Sequence, residues 1–248
     1  MISLVVPCYN EESRLNVQYW FEVIRKHTEV NFLFVDDGSK DETLRVLRSI
    51  QILPNVQVLP LKNNSGKGEA VRQGFQQVFR AKNVSLPEPM IVGFLDCDGA
   101  FSQDDIQAII DQSRHLLIEG GVYEALISSR VKLLGRKIER SNFRHIVGRL
   151  IATFISLGWP NAPYDSQSGF KMFLVTNDLQ AAISKEFQTK WFFDLEILSS
   201  LRIGAIYEFP LNEWTEVNGS HLDLTSIVGV LREVLKVRRV VKKNRKKQ

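Results

Sequence analysis

Asp96 and Asp98 stand one residue apart at the end of the apolar run Met90 to Leu95, in the segment Asp96-Cys97-Asp98-Gly99-Ala100. An extended strand presents alternate side chains on one face, so the two carboxylates can converge on one point where the strand runs out. Two hard oxygen ligands suit Mg²⁺ or Mn²⁺ carrying a diphosphate. Such an ion keeps positions open for phosphate oxygens and neutralises charge on a departing nucleotide. That is the chemistry needed to move a sugar off a nucleotide diphosphate. An Asp-x-Asp spacing is common by chance, so its weight comes from what surrounds it.

Asp36 and Asp37 end a second apolar run and lead into Gly38-Ser39-Lys40-Asp41. Gly38 allows a tight turn and Ser39 or Asp41 can cap a following helix, which is one reading of the segment. The other is that one carboxylate accepts a hydrogen bond from a pyrimidine N–H or a ribose hydroxyl. Gly66-Lys67-Gly68, with Arg72 a turn further on, places an ammonium and a guanidinium at a predicted helix N-terminus. That setting suits an anionic nucleotide and equally a solvated helix start. The Gly-x₄-Gly-Lys-Ser/Thr spacing of a Walker loop is absent.

The elements that must position these groups alternate through the first half. Strands are predicted at Ile2 to Pro7, Asn31 to Asp36, Val56 to Leu61, Met90 to Asp96 and Glu124 to Ser129. Between them, helices are predicted near Ser13 to Lys26, Asp41 to Ser49, Lys67 to Ala81 and Gln103 to Leu117. Strongly apolar strands alternating with helices indicate an α/β fold, a mostly parallel central sheet with helices on both faces. Ligands of such sheets bind beyond the carboxyl ends of the strands, where the polar segments fall. The second half is less regular. A helix is expected at Asn142 to Leu157, a loop at Tyr164 to Gly169, a strand at Phe170 to Val175, a helix near Phe193 to Leu201, a strand at Ala205 to Pro210 and a basic terminal helix.

With 248 residues, 44% hydrophobic and 24% charged, the chain can bury a sizeable core as one folded domain, and nothing in it is low-complexity or repetitive. Cys8 and Cys97 both fall where strands end and read as reduced thiols packed as small residues. No secretory signal pattern precedes the first strand and no apolar run is long enough to span a bilayer, so a cytoplasmic location is expected. The formal charge of +4 conceals an asymmetry: net +8 over residues 225–248, net +6 over residues 130–149 and net −10 over the rest.

In order along the chain, Val6-Pro7-Cys8-Tyr9-Asn10-Glu11-Glu12, Val35-Asp36-Asp37-Gly38-Ser39, Gly66-Lys67-Gly68-x-Ala70-Val71-Arg72-x-Gly74 and Asp96-x-Asp98-Gly99-Ala100 resemble the family 2 nucleotide-sugar glycosyltransferases of GT-A fold. Ser129-Arg130, Asp165-Ser166-Gln167-Ser168-Gly169-Phe170-Lys171, the Lys190 to Glu196 segment and the Trp214 to Ser220 segment are similar to the polyprenyl-phosphate branch, especially dolichyl-phosphate β-glucosyltransferases. The resemblance covers roughly residues 2–222, leaving 223–248 as a basic amphipathic helix and tail.

The resemblance implies that Pro7, Tyr9, Glu11 and Asp37 line the base and ribose pocket, with Asp36 adjacent. Lys67 and Arg72 would help hold the nucleotide, and Asp96 and Asp98 would carry ribose and metal, Mg²⁺ or Mn²⁺. The reaction it implies is a single inverting displacement in which an acceptor oxygen attacks C1 of the sugar as the diphosphate leaves from the opposite face. Asp165 is the candidate base, or orients the acceptor, or bonds its own backbone as a loop carboxylate. A phosphate acceptor would need little deprotonation, its second pKa being about 6. Asp194 and Glu196 would touch sugar hydroxyls or cap a helix.

Arg130, directly after a predicted strand, is the candidate contact for an acceptor phosphate, while Arg136, Lys137, Arg140 and Arg144 are left open. The helix predicted over Ser141 to Trp159 is rich in Ile146, Leu150, Ile151, Phe154, Ile155 and Leu157; core packing is the default for such a face, but with the adjoining basic stretch and the basic terminal helix it reads more as a chain lying on an anionic bilayer. A nucleic-acid partner lacks any supporting signature.

The expected function is therefore transfer of a hexose, glucose from UDP-glucose, to a polyprenyl phosphate by an enzyme peripheral on the cytoplasmic membrane face. The alternatives are transfer to a sugar hydroxyl in polysaccharide or glycolipid synthesis, a nucleotidyltransferase-like enzyme, and a non-catalytic nucleotide-sugar binding protein. Oligomeric state and the preferred metal are not encoded in any pattern found.

Overall fold

Nearly continuous burial along the central strands dictates two helical layers. Leu4, Val6, Phe32, Phe34, Ile91 and Leu95 point into one core, while Val5, Leu33, Val35, Val92 and Phe94 point into the other. Both faces of the strands are therefore apolar, as a sheet sandwiched between helices requires. The computed structural model describes residues 1–81, 89–139, 149, 151–157, 159, 162–217 and 227–246.

The first half runs β1 (Ile2–Cys8), α1 (Val17–Lys26), β2 (Val30–Asp36), α2 (Thr43–Ile50), β3 (Val56–Pro60), α3 (Lys67–Ala81), β4 (Ile91–Leu95), α4 (Gln103–Ser113) and β5 (Ala125–Ser129). It continues through β6 (Lys137–Glu139), α5 at residues 151–156, β7 (Phe170–Leu174), α6 (Asn177–Ile183), α7 (Phe193–Ser200), β8 (Ile206–Pro210), β9 (Glu213–Thr215) and α8 (Ile227–Arg245). The seven-stranded sheet has the order β3-β2-β1-β4-β7-β5-β8. Its strands β1 to β4 are mutually parallel, whereas β7 lies antiparallel between β4 and β5, and β8 is parallel to β5. Helices α1, α2 and α4 cover one face, and α3, α5, α6, α7 and α8 cover the other.

Several boundaries differ from the sequence expectation for local reasons. Helix α1 begins only at Val17 because Asn16 caps it, its side chain accepting from Tyr19 N at 3.0 Å. Neither Ser39 nor Asp41 stands at the N-cap of α2, which is Glu42 without a side-chain cap bond. Asp41 instead accepts from Thr43 N at 3.0 Å and Glu12 N at 3.2 Å, joining the loops after β1 and β2. The helix predicted to reach Leu117 is α at Gln103–Ser113 and then continues as a π-helical turn, Arg114–Glu119. Helix α6 and the two-stranded sheet of β6 and β9 carry too little periodicity to be read in advance.

Of the helix predicted over Asn142 to Leu157, the described helical residues are 149 and 151–156; Arg140, Arg144, Ile146 and Leu150 lie outside the described residues. Helix α8 does not stand apart from the body. Its Val234, Val237 and Val241 join the core beside α7, and Asn244 Nδ2 and Arg245 donate to Ser199 Oγ and to the Leu198 and Leu201 carbonyls. The α7 carbonyls are thereby satisfied by side chains of α8.

Candidate active site

The carboxyl ends of β1, β2 and β4 open into a cleft of about 520 Å³, lined among others by Pro7, Tyr9, Glu11, Asp37, Lys67, Asp96 and Asp98. Parallel strands ending side by side are what bring residues so far apart in sequence together. The loop of Asp96 to Asp98 is fixed from α1: the Trp20 indole N–H donates to the Cys97 carbonyl at 3.0 Å, and the Tyr19 hydroxyl donates to the Phe101 carbonyl at 2.9 Å. From the other side Asp96 N donates to the Gly169 carbonyl at 3.0 Å. A Cβ on Gly169 would run into the Asp96 carboxylate, so glycine there makes the space that Asp96 fills.

The Lys67 ammonium lies 2.5 Å from Asp96 Oδ1. Burial works against this charge, yet Asp96, with Asp194 and Asp98 behind it, holds the Lys67 proton above its ordinary range. Among the described residues no such cation is in hydrogen-bond contact with Asp98; burial first and then the Asp96 charge push its carboxyl up, and its Oδ1 accepts from Ala100 N at 3.1 Å. Burial likewise raises Glu11, with Arg14 at 3.5 Å offsetting part of the effect. Glu11 and Asp98 are thus carboxylates raised chiefly by burial, against the pull of Arg14 on both and of Lys67 on Asp98.

Among the described residues no three His, Cys, Asp or Glu side chains gather as a metal cage. Asp96 and Asp98 nonetheless fit a divalent ion of the Mg²⁺ type, which binds through one or two carboxylates and takes its other oxygens from water and substrate phosphate. Cys8 and Cys97 are buried free thiols, and the neighbouring Cys8 thiol together with burial pushes Cys97 well above its usual range.

Asp36 and Arg72 are not brought into the cleft. Asp36 is buried and accepts from the Ser39 N–H and hydroxyl, closing the turn after β2. Gly38, at φ +65, follows it; a Cβ there would meet the Asn63 and Asn64 backbone at 2.6 to 2.8 Å. Arg72 is held along α3 by Glu69, at 2.7 Å and 2.5 Å, and donates to the Ile183 carbonyl of α6. Asp37 does line the cleft. Its two oxygens accept from Ser65 N at 3.0 Å and Gly66 N at 2.8 Å, so it also shapes the loop that delivers Lys67.

Arg130 and Asp165 form a buried pair. Asp165 Oδ2 accepts from Arg130 N at 2.9 Å and Nε at 2.7 Å, and Oδ1 accepts from Nη2 at 2.8 Å. Burial opposes the guanidinium charge, but Asp165 more than compensates and holds Arg130 above its usual range. The Arg130 guanidinium also lies 5.1 Å from the Trp214 ring centre. Asp165 N and Tyr164 N both donate to Glu208 of β8.

Asp194 and Glu196 anchor structure. Asp194 accepts from Lys171 Nζ at 2.9 Å and Gln167 Nε2 at 2.8 Å, beneath the loop of Asp165 to Gly169. Lys171 is fully buried, also donates to the Ser168 carbonyl at 2.5 Å, and is lowered by burial against the opposing pull of Asp194. Glu196 accepts from Thr189 N at 2.7 Å, Thr189 Oγ1 at 2.6 Å and Gln188 N at 3.1 Å. It thus fixes the loop that carries Lys190 and Trp191 into the cleft wall. Lys190 and Trp191, whose segment carried part of the resemblance without a role for either, line the cleft together with Arg14 and Ser65, to which the sequence assigned none.

The family model of glycosyl transferase family 2 matches residues 3–117. A dolichyl-phosphate beta-glucosyltransferase of Trichomonas vaginalis is 30% identical over 247 residues, covering 95% of this chain and 72% of that protein. The dolichyl-phosphate beta-glucosyltransferase of Dictyostelium discoideum is 30% identical over 255 residues (96% and 73% covered), and that of Homo sapiens is 31% identical over 244 residues (89% and 69% covered). Among solved structures, glucosyl-3-phosphoglycerate synthase from Mycobacterium tuberculosis, in complex with Mn²⁺, UDP-glucose and phosphoglyceric acid, superposes with a TM-score of 0.63 at 18% identity, over 96% of this chain and 80% of that one. The architecture is thus the GT-A fold, and the chain is a glycosyltransferase that belongs to family 2, with dolichyl-phosphate β-glucosyltransferases among its relatives.

Proposed function

We propose that this enzyme transfers glucose from UDP-glucose to a polyprenyl phosphate, with inversion at C1, at the cytoplasmic face of a membrane. The observation that carries the acceptor class is the commitment of Asp165 to Arg130 through three hydrogen bonds. A carboxylate so engaged is a poor proton acceptor. A hydroxyl acceptor would call for a general base, whereas a phosphate monoester, with a second pKa of about 6, arrives largely ionised. Asp165 then serves to aim Arg130: it occupies Nε and one N–H of Nη2 and leaves the remaining Nη N–H groups and the guanidinium charge for a phosphate. The names of the dolichyl-phosphate relatives support the same acceptor and sugar.

Pro7, Tyr9, Glu11 and Asp37 hold the base and ribose in this reading, and Asp96 takes a ribose hydroxyl or shares the ion with Asp98. Asp98 and Asp96 would hold a divalent ion, Mg²⁺ or Mn²⁺, which would supply positive charge to the leaving diphosphate. Lys67 adds a second positive charge on the same side. The acceptor phosphate oxygen forms its bond to C1 as the bond from C1 to the diphosphate oxygen breaks, and UDP departs with that electron pair. Trp191 and Lys190 close the wall over the donor.

No helix among the described residues is long and apolar enough to cross a membrane. Attachment through the exposed basic face of α8, which includes Arg232, Lys236, Arg239, Lys242 and Lys243, accords with an anionic bilayer as partner.

The test is UDP release with Mn²⁺ or Mg²⁺ from UDP-glucose, UDP-galactose, UDP-N-acetylglucosamine and GDP-mannose, with and without a short polyprenyl phosphate. Release from UDP-glucose stimulated by the lipid phosphate is expected. Donor binding without any stimulation would refute the acceptor assignment, and unchanged UDP affinity of Asp98→Ala in the presence of Mn²⁺ would refute the metal assignment.

A further inference from the structure

Directly after Arg130 the chain leaves the body in a turn that buries nothing. Arg136 N donates to the Leu133 carbonyl at 3.1 Å, and Gly135 at φ +83 occupies the position that a type II turn reserves for glycine. Leu134 at the tip is 105% exposed and Leu133 is 48% exposed. Lys132 and Lys137 flank them, both exposed, with Arg136 between.

The turn is not a fraying segment. Arg130 N is bonded to Asp165 on one side; on the other, Lys137 N donates to the Asn212 carbonyl at 2.8 Å and Ile138 is buried in the core. A pinned turn that offers two leucines to solvent between cations has the make-up of a surface that meets hydrocarbon beneath anionic headgroups. Next in sequence to Asp165, the partner of Arg130, half-exposed Tyr164 carries the Arg149 guanidinium 3.8 Å from its ring centre, a pairing suited to the interfacial zone of a bilayer.

We infer that the Lys132–Lys137 turn inserts Leu133 and Leu134 into the bilayer and sets its lysines on lipid phosphates, so that the mouth of the active site faces the headgroup layer. The inference rests on the polyprenyl-phosphate reading above and adds the element that meets the membrane. Leu134 is four residues from Arg130, at most about 14 Å of extended chain. With a leucine tip sunk about 5–10 Å into the interface, Arg130 lies within reach of a phosphate carried on a lipid. A charged surface helix alone would bind the membrane without fixing that distance. The turn does fix it, because its two ends belong to the elements that hold Arg130.

The experiment is flotation of the full chain with vesicles of phosphatidylcholine and phosphatidylglycerol, beside phosphatidylcholine alone, with UDP affinity and sedimentation velocity measured on every variant. Leu133→Ser with Leu134→Ser should weaken binding about tenfold or more while leaving UDP affinity intact. Lys132→Glu with Lys137→Glu should weaken binding to the anionic vesicles at least about fivefold and leave the neutral ones unaffected. Leu134→Cys carrying an environment-sensitive fluorophore should brighten on vesicles and be quenched by nitroxides within the acyl region, a response that a merely structural residue would not give.

Wild-type-like binding of the serine variant, or a label that stays in water, overturns the turn's role while the membrane reading stands. A wild-type chain that binds no vesicle overturns both. Loss of self-association in place of vesicle binding would show that the leucines join two copies of the chain, and also overturns the inference.

Discussion

Gly169→Ala isolates one requirement of the donor site. Gly169 is not in the left-handed region, so alanine fits its backbone and the whole perturbation is the added methyl. That Cβ would lie 2.5 Å from the Asp96 carboxyl carbon and 3.0 Å from Oδ1. Carbon atoms rest at about 3.5–4.0 Å, so the carboxylate must retreat by about 1 Å, and the Lys67 ion pair at 2.5 Å moves with it. A misplacement of about 1 Å in a reacting site can cost about a hundredfold, or about 2.7 kcal/mol. Overpacking costs about 1–3 kcal/mol of stability, offset by about 0.4–1 kcal/mol from the stiffer unfolded chain. At about 2–4 °C per kcal/mol for a domain of this size, the melting temperature should fall by less than about 10 °C. We therefore expect kcat/KM for UDP release to fall about a hundredfold in a protein that is still folded at assay temperature. Activity within twofold of wild type, with the melting temperature lowered as calculated, would refute the claim that Asp96 must sit where Gly169 allows it.

Lys171→Met should lower the melting temperature by about 6–20 °C, since it strands the buried Asp194 carboxylate at a cost of about 3–5 kcal/mol; Asp194→Leu added to it should recover most of the loss, as read by thermal denaturation. Glu196→Gln keeps the shape but turns an N–H toward the Gln188 and Thr189 donors, so the Lys190–Trp191 wall should loosen and KM for UDP-glucose should rise about five- to tenfold with kcat nearly unchanged. His27 is buried, neither ring nitrogen has a hydrogen-bond partner among the described residues, and burial lowers its pKa from 6.5. The unfolded chain therefore takes up a proton that the native chain refuses, so stability is held above pH 6.5 and lost as pH falls from there toward the lowered value. His27→Phe should flatten that part of a melting-temperature-against-pH curve, and an unchanged slope would show that another group is responsible.

What the sequence disclosed and what it withheld divide along contact distance. Strands β1, β2 and β4 and the carboxylates at their ends were legible because an apolar run and its terminal charges are neighbours in sequence. The placing of Asp96 was not. It depends on Trp20 and Gly169, each more than seventy residues away, and no local pattern encodes that Trp20 holds the Cys97 carbonyl. Asp36 and Arg72 were expected near the nucleotide by resemblance, but Ser39 and Glu69, each three residues off, engage them first. Helix α6 has only 7 residues, about two turns, and β6 finds its partner β9 only through the register Lys137 to Glu213. Such elements arise from tertiary pairing that propensity does not announce.

The helix α8 shows how charge composition alone misassigns part of a segment. Its net positive charge suggested a tail lying on a bilayer, yet its valine face is core and its single acid has an inward task. Glu233 Oε2 accepts from Lys190 N at 2.7 Å, next to Trp191 on the cleft wall. Glu196 of α7 holds the same loop one and two residues earlier, at Thr189 and Gln188, and Asn244 and Arg245 bind α8 back onto α7. The cleft wall is therefore clamped between two helices, one of which carries the cationic outer face. Removing residues 225–248 would withdraw the Lys190 anchor and the α7 C-terminal partners together with the charges. A loss of vesicle binding in that truncation would not separate membrane attraction from an undone fold, whereas reversing Arg239, Lys242 and Lys243 on the exposed face alters the charge and leaves the valine face and Glu233 in place.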